Sequence, residues 1–269
     1  MPFAQLNRTV FCLSGEGVED WLSGLITNEI QPKESNTATF AALLTPQGKI
    51  IADFFIYRRT SGITKQEMFL LDTPTKFAED LHKRLRMYRL RAPIEIEETN
   101  IVVTAMWDEG DFNEDYGYPD PRLPALGNRL VTPIIKKFNG DYNAHRLSLG
   151  VPDSEWDFGS AEVFPADANM ELMNGVNFSK GCFVGQEVVS RMKRMTTVRK
   201  RMRGIYLFGD AKAEDRILSG KRVIGIVLSV HGPRGMAMMR LDRLRETEAA
   251  LTLNGAPVQV MNAVDGLDN

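Results

Sequence analysis

Apolar positions recur along this chain with two periods, and the switches between them mark the predicted elements. The block RTVFCLSGEGVEDWLSGLITNEI alternates like a strand, breaks at Gly15-Glu16-Gly17 and resumes at helical spacing. It predicts a strand, a glycine turn and a short helix over Val18–Leu25. TFAALLTPQGKIIADFFIYRR has the pattern of a hairpin, two apolar β-rich runs flanking Pro46-Gln47-Gly48, where proline presets φ and glycine tolerates the turn. MFLLD is a third strand and leads into TPTKFAEDLHKRLRMYRLR. There Thr73 is placed to cap, Pro74 suits the first helical turn, and Phe77, Leu81, Leu85 and Tyr88 form one apolar face. Pro93 ends that helix, and IEIEETNIVVTAMW has the pattern of a hairpin of two more strands.

Residues 108–126, DEGDFNEDYGYPDPRLPAL, have the composition of a solvated connection. GDYNAHRLSLGVP predicts a helix ending at Gly150, followed by a loop to Pro165. Gly185 to about Arg194 predicts a further short helix. Its first turn carries Gln186 and Glu187 and its last Arg191, Lys193 and Arg194, an order that complements the helix dipole. From Arg201 the texture changes to short strands, RMRGIYLF, KRVIGIVLSV, GMAMMRL and ALTLNGAPVQV, the last turning on Asn254-Gly255. These four runs predict a small antiparallel barrel or sandwich. The boundary falls near Met195–Val198, giving regions 1–196 and 197–269.

Composition narrows the classes. The chain has 269 residues, enough for one large or two ordinary domains, with 43% hydrophobic and 25% charged residues. A net charge of −2 announces neither nucleic acid nor an acidic membrane as partner. The longest apolar run, IIADFFIY, is interrupted by Asp53 and too short to span a bilayer. Two cysteines, Cys12 and Cys182, supply neither a disulfide framework nor a CxxC pair, and the start of the chain lacks signal-peptide features, so a cytoplasmic protein is expected. His82, His145 and His231 have no ligand spacing, so no metal site is expected. There is no GxSxG, dinucleotide fingerprint or P-loop.

Three features could carry chemistry. In NFSKGCFVGQEVVSR a lone thiol, Cys182, follows Lys180 and precedes a helix N-terminus, with Gly181 and Gly185 free to let backbone approach a ligand. An exposed thiol there is pushed toward thiolate, whereas a small buried turn residue is the structural alternative, and both readings stand. Asp53 shares a strand face with Ile51, Phe55 and Tyr57; it is either a pocket contact or an edge carboxylate reaching water or an amide. RMKRMTTVRKRMR, residues 191–203, holds seven basic residues in thirteen, the pattern of a solvated face. It lacks the interleaved aromatics of a single-strand nucleic-acid binder, so an RNA- or membrane-surface role ranks last.

KGCFVGQEVVSR resembles the signature of the folate-binding family related to the glycine-cleavage T-protein, in the branch acting in iron–sulfur cluster assembly and repair. WLSGLITNEI, LLTPQGKIIADFFIY, HRLSLGVP, ANMELMNGVNFSKGCFVGQE and VIGIVLSVHGPRGMAMMRL resemble that family's blocks in its order. The resemblance implies an α+β fold: a T-protein-like folate-binding portion with a C-terminal antiparallel β-barrel. It implies tetrahydrofolate as cofactor and iron–sulfur client or assembly proteins as partners, with neither nucleic acid nor membrane. Cys182 is then the functional thiol and Lys180 its cationic neighbour. Asn28 and Asp53 match blocks lining or supporting the pocket, and Gln186, Glu187 and Arg191 belong to the signature. Phe183 stands where that signature commonly has tyrosine, and Asp167 where members often have glutamate, in the block taken to hold the pterin ring. The motifs of true aminomethyltransferases are missing, which argues against glycine cleavage. A folate-dependent one-carbon transferase remains the alternative, with Asp53 as its available carboxylate. The 191–203 run is expected to meet an anionic polyglutamate tail through Arg199, Lys200 and Arg201.

Overall fold

The β-rich runs build two antiparallel sheets. The computed structural model describes residues 2–32, 37–60, 67–108, 117–133, 138–195, 198–247 and 249–261. Along the chain, the strands of the first part are β1 (Phe3–Gln5), β2 (Arg8–Gly15), β3 (Thr39–Leu44), β4 (Ile50–Thr60) and β5 (Glu67–Pro74), then β6 (Ile94–Glu98), β7 (Val102–Met106), β8 (Gly117–Pro119) and β9 (Asn128–Thr132). One sheet has the order β3-β4-β5-β2-β6 and the other β1-β7-β9-β8. Helices α1 (Val18–Ser23) and α2 (Thr75–Arg89) cover the outer face of the first sheet, where Leu22, Phe77, Leu81 and Leu85 pack on Phe11, Leu13, Phe54 and Ile56. The other face packs on the second sheet through Phe40, Phe55, Tyr57, Val103, Ala105 and Val131. β4 is therefore buried on both faces, which is why its sequence is a near-continuous apolar run.

A β-bulge refines the reading of Asp53. Leu43 pairs with Ala52 but Leu44 with Ile50, so Ile51 is the extra residue and packs on the helix side. Phe55 and Tyr57 face the second sheet without Ile51.

The hairpin on Pro46-Gln47-Gly48 forms as its pattern predicts, with Gly48 at φ +82°. Other expectations are corrected. Thr73 lies in β5 and donates its hydroxyl to the Asp53 carbonyl at 3.0 Å; Pro74 is the extended N-cap of α2, which starts at Thr75. β6 and β7 are not a hairpin, since β6 pairs with β2 and β7 with β1 and β9. The glutamate-rich β6 takes a sheet edge, while the apolar β7 takes a buried centre. The stretch read as a connection at 108–126 contains β8 and a 3-10 turn at Pro124–Leu126, and it buries Asp120 and Arg122; residues 109–116 lie outside the described residues.

Asp120 and Arg122 belong to an ionic network between the sheets. Arg129 donates to the Tyr57 hydroxyl at 2.8 Å, to Asp72 at 3.0 Å and to Asp120 at 3.4 Å, and lies 3.7 Å from the Phe55 ring centroid. Arg8 donates to Asp72 at 2.5 Å, and Arg122 to Asp120 at 2.8 Å, Asp153 at 3.3 Å and the Tyr142 hydroxyl at 2.5 Å. Burial pushes the Asp72 and Asp120 carboxyls up, but the arginines outweigh it and hold both below the usual carboxylate range.

Helix α3 (Tyr142–Ser148), capped by the Asp141 side chain, leads through turns to α4 (Gln186–Met195). The chain then closes a barrel from β10 (Lys200–Leu207), β11 (Arg216–Ser219), β12 (Arg222–His231), β13 (Arg234–Arg240), β14 (Leu251–Leu253) and β15 (Ala256–Val260), with helix α5 (Leu241–Arg245) before β14. The order is β10-β13-β12-β11-β14-β15, a barrel rather than a sandwich. The four sequence runs miss the short β11. The barrel docks on the first part where Met202 donates to the Asp167 carbonyl at 2.8 Å and Ser229 to Asp157 at 2.5 Å.

Candidate functional site

The loop 177–185 is tied down along its length. The Asn177 amide donates to the Thr27 carbonyl at 2.9 Å, and the Asn177 side chain accepts from the Ser179 amide at 2.8 Å. Lys180 is a clasp: its Nζ donates to the carbonyls of Ser23 at 2.6 Å, Ile26 at 2.8 Å and Asn28 at 2.9 Å. An ammonium has three donors, so all of them are engaged. Desolvation lowers its pKa to about 8, with the Glu29 charge acting in the opposite sense. Phe183 is buried beneath it, the Lys180 Nζ lying 5.3 Å from the ring centroid.

Gly185 is required for a different reason from the one expected. It sits at φ +80°, and a Cβ there would stand 2.6 Å from the Thr45 carbonyl oxygen and 3.1 Å from Gly48 Cα. The close approach is to the β3–β4 turn, which fixes where α4 begins. A Cβ at Gly181 would meet nothing within 4 Å.

Two cavities share a wall beside this loop. An apolar one of about 260 Å³ is lined by Phe164, Leu172, Val176, Phe178 and Met192, with Glu171 and Arg201 at its polar end. A polar one of about 500 Å³ is lined by Asn28, Thr39, Asn174, Asn177 and Ser179 among others. Val176, Phe178 and Lys193 line both. Arg201 donates to Glu171 Oε1 at 2.6 Å, whereas Glu171 Oε2 is buried without a hydrogen-bond partner among the described residues. Such an atom is costly to leave unpaired.

Cys182 is exposed and lines neither cavity. It opens on a separate hollow of about 360 Å³ with Glu19, Asp20, Glu29 and Lys180. The loop is thus a partition, with Asn177, Phe178 and Ser179 toward the cavities and Lys180, Gly181 and Cys182 on the other side.

The remaining candidates scatter. Asn28 lines the polar cavity, but its side-chain amide is used on the carbonyls of Phe40 at 2.9 Å and Asn174 at 2.6 Å. Asp53 lines neither cavity; it accepts from the Ser154 hydroxyl between the sheets, and burial raises its carboxyl pKa despite Arg8 nearby. Asp167 turns from the apolar cavity to accept from the Phe164 amide at 3.1 Å and pair with Lys200 at 3.1 Å. Gln186 donates to the Gly181 carbonyl at 3.3 Å, while Glu187 and Arg191 are exposed on α4. The basic run is not one solvated face, because Arg201 and Arg203 are buried. Among the described residues no group of three or more His, Cys, Asp and Glu is placed to hold a metal ion.

Sequence reasoning missed Glu171 and Phe178, and it placed Lys193 only within the last turn of a helix and the basic run. The available signal was the helical spacing of Val189, Met192 and Lys193, which sets a cation at the border of an apolar face.

Residues 199–263 match the family model described as CAF17, C-terminal beta-barrel domain. The chain is 28% identical over 237 residues to the Iron-sulfur cluster assembly factor IBA57 homolog, mitochondrial, of Neurospora crassa, covering 78% of this chain and 54% of that protein. It therefore spans about half the length of that relative. It is 25% identical over 276 residues to the Iron-sulfur cluster assembly factor IBA57, mitochondrial, of Mus musculus, covering 89% of this chain and 77% of that protein. In fold it is similar to the glycine cleavage system aminomethyltransferase T of Bartonella henselae, with a TM-score of 0.71, 14% identity, and coverage of 97% of this chain and 84% of that one. The cytoplasmic expectation is overturned, since these relatives are named mitochondrial. Two cysteines are too few for a disulfide framework, and that count does not separate one reducing compartment from another. In its C-terminal domain and its sequence the chain is similar to the CAF17 and IBA57 proteins, and its fold is a T-protein-like α+β architecture with a closed antiparallel barrel.

Proposed function

We propose that this chain is a tetrahydrofolate-binding auxiliary factor of iron–sulfur cluster assembly or repair, with Cys182 as its working thiol. Residues 1–196 form the folate-binding region and 197–269 the barrel. Assembly of iron–sulfur clusters comes from the relatives' names, as does a mitochondrial setting. Folate comes from the fold and from the paired cavities. The observation that carries the reading is the apolar cavity with the Phe164 and Phe178 rings and the Glu171 carboxylate in its lining. Glu171 Oε2, which has no hydrogen-bond partner among the described residues, is the acceptor assigned to ring N–H groups. Ligand sites of this kind are mostly apolar with a few convergent polar groups.

When bound, tetrahydrofolate carries one-carbon units. The chain's own residues then divide the work. Phe164, Val176 and Phe178 flank a planar ring, and Glu171 accepts from its edge. Lys180 holds the loop so that Cys182 faces away from the cavities, toward a partner. Two cysteines cannot hold a four-thiolate cluster, so a cluster is cargo shared with a client or assembly protein. The one-carbon transferase reading requires a carboxylate at the folate nitrogens. Asp53 is bonded to Ser154 and lines neither cavity, so that reading has no observation in its favour.

Isothermal titration with 5-formyltetrahydrofolate tests the folate assignment. Saturable one-to-one binding that weakens at least tenfold in Glu171→Ala is expected. Binding unaffected by that change, or none at all, would remove folate from these cavities.

A further inference from the structure

Lys193 stands at the seam of the two cavities. Its Nζ lies 3.7 Å from the centroid of Phe178, the aromatic ring that lines both. The other cation of the apolar cavity, Arg201, is already spent on the Ala166 carbonyl at 3.0 Å, Asn169 Oδ1 at 3.3 Å and Glu171 Oε1 at 2.6 Å. The polar cavity has no cation but Lys193 among its described lining residues. Lys193 itself is exposed and meets no carboxylate among the described residues.

An exposed cation resting on a half-buried aromatic ring is weakly held. Phe178 and Lys193 both line the apolar cavity, so a planar ring that stacks on Phe178 there competes with the ammonium for the ring. The displaced ammonium, on its flexible four-carbon stem, swings into the polar cavity and brings a point charge to a space otherwise lined by amides and hydroxyls. The best occupant joins a flat ring to a chain bearing carboxylates, each further carboxylate adding to the attraction.

We infer that Lys193 is the specificity-determining residue for the tail, selecting folates by the number of glutamyl carboxylates they carry. The inference rests on the folate reading above and deepens it. It also moves the tail contact from the place expected in the sequence, since Arg201 and Lys200 are already paired with Glu171 and Asp167.

The test compares 5-formyltetrahydrofolate as mono- and triglutamate by isothermal titration, with wild type, Lys193→Met, Lys193→Gln, Lys193→Arg and, as a charge control distant from the cavities, Lys212→Met. The wild type binds the triglutamate about fivefold more tightly, the worth of a good exposed ion pair, and the preference shrinks as salt rises. Lys193→Met brings the ratio near one, while Lys193→Arg and Lys212→Met keep it. Thermal unfolding of each variant separates loss of preference from loss of fold, and Lys193→Gln, which removes the charge but keeps a polar side chain and should likewise bring the ratio near one, carries the test if Lys193→Met is unstable. A wild-type ratio of one, or a Lys193→Met ratio equal to that of the wild type, would overturn the inference while leaving folate binding intact. Absence of binding to either form would overturn the folate reading beneath it.

Discussion

Replacing Lys180 with methionine separates two roles for that lysine. Its ammonium donates to three carbonyls, of Ser23, Ile26 and Asn28, between 2.6 and 2.9 Å. Hydrogen bonds to a charged group contribute roughly 1.5–3 kcal/mol each when unopposed. The loop is half-buried, so water replaces part of what is lost, and the methionine stem keeps its packing on Phe183. A net loss of about 2–3 kcal/mol in local stability follows, raising the open population of residues 177–185 roughly 30- to 150-fold. Native-state hydrogen exchange reads this directly: the Asn177 and Ser179 amides should lose protection in Lys180→Met while the β4 and β5 amides keep theirs. If Lys180 acted on the thiol instead, exchange would be unchanged and the pH profile of Cys182 alkylation would move. That second outcome would refute the clasp.

Further predictions concern the frame around the site. Arg129→Met strands Asp72 and Asp120 with one partner fewer, and breaking a buried pair costs about 3–5 kcal/mol. The melting temperature should fall roughly 10 °C at pH 7, and a fall under about 2 °C would contradict the network's role. Asp53→Asn keeps the acceptor for Ser154 and removes a buried titrating group. Because burial raises the Asp53 pKa, its favourable contribution is complete below about pH 4 and lost as pH rises through the folded value. The variant should therefore melt at or above the wild-type temperature at pH 7; a clear drop would show that the ionised form stabilises the fold. Asp72 and Asp120 run the opposite way, so stability should decline as pH falls below about 4, followed by urea titration. Gly185→Ala forces a Cβ against the Thr45 carbonyl at positive φ and should cost about 2 kcal/mol or more in urea unfolding; a neutral result would mean that the turn is free to shift.

What was legible in the sequence was local. Pro46-Gln47-Gly48, Asn254-Gly255 and the Phe77–Leu81–Leu85 stripe act over a few residues, and they form as their patterns predict. What was hidden depends on partners far along the chain. Arg129 meets Asp72 from 57 positions away, so no local pattern announces that both are buried and paired. The bulge at Ile51 turns one side chain to the opposite face without any glycine to mark it. β6 and β7 sit close in sequence but separate into different sheets, which only the competition for buried positions decides. Of the proposed site, the signature pointed to the loop and its cysteine. It did not show that the lysine is a clasp, that Gly185 serves the β3–β4 turn, or that Phe178 and Lys193 divide two cavities, because each depends on what folds against the loop.

The central claim is that Cys182 works in iron–sulfur maintenance. Its most direct test is rescue in cells lacking this protein, comparing wild type and Cys182→Ala at equal protein levels by the activity of a cluster-dependent enzyme. The account predicts that only the wild type restores activity. Restoration by both would make the thiol a turn residue, and restoration by neither would remove the chain from iron–sulfur assembly.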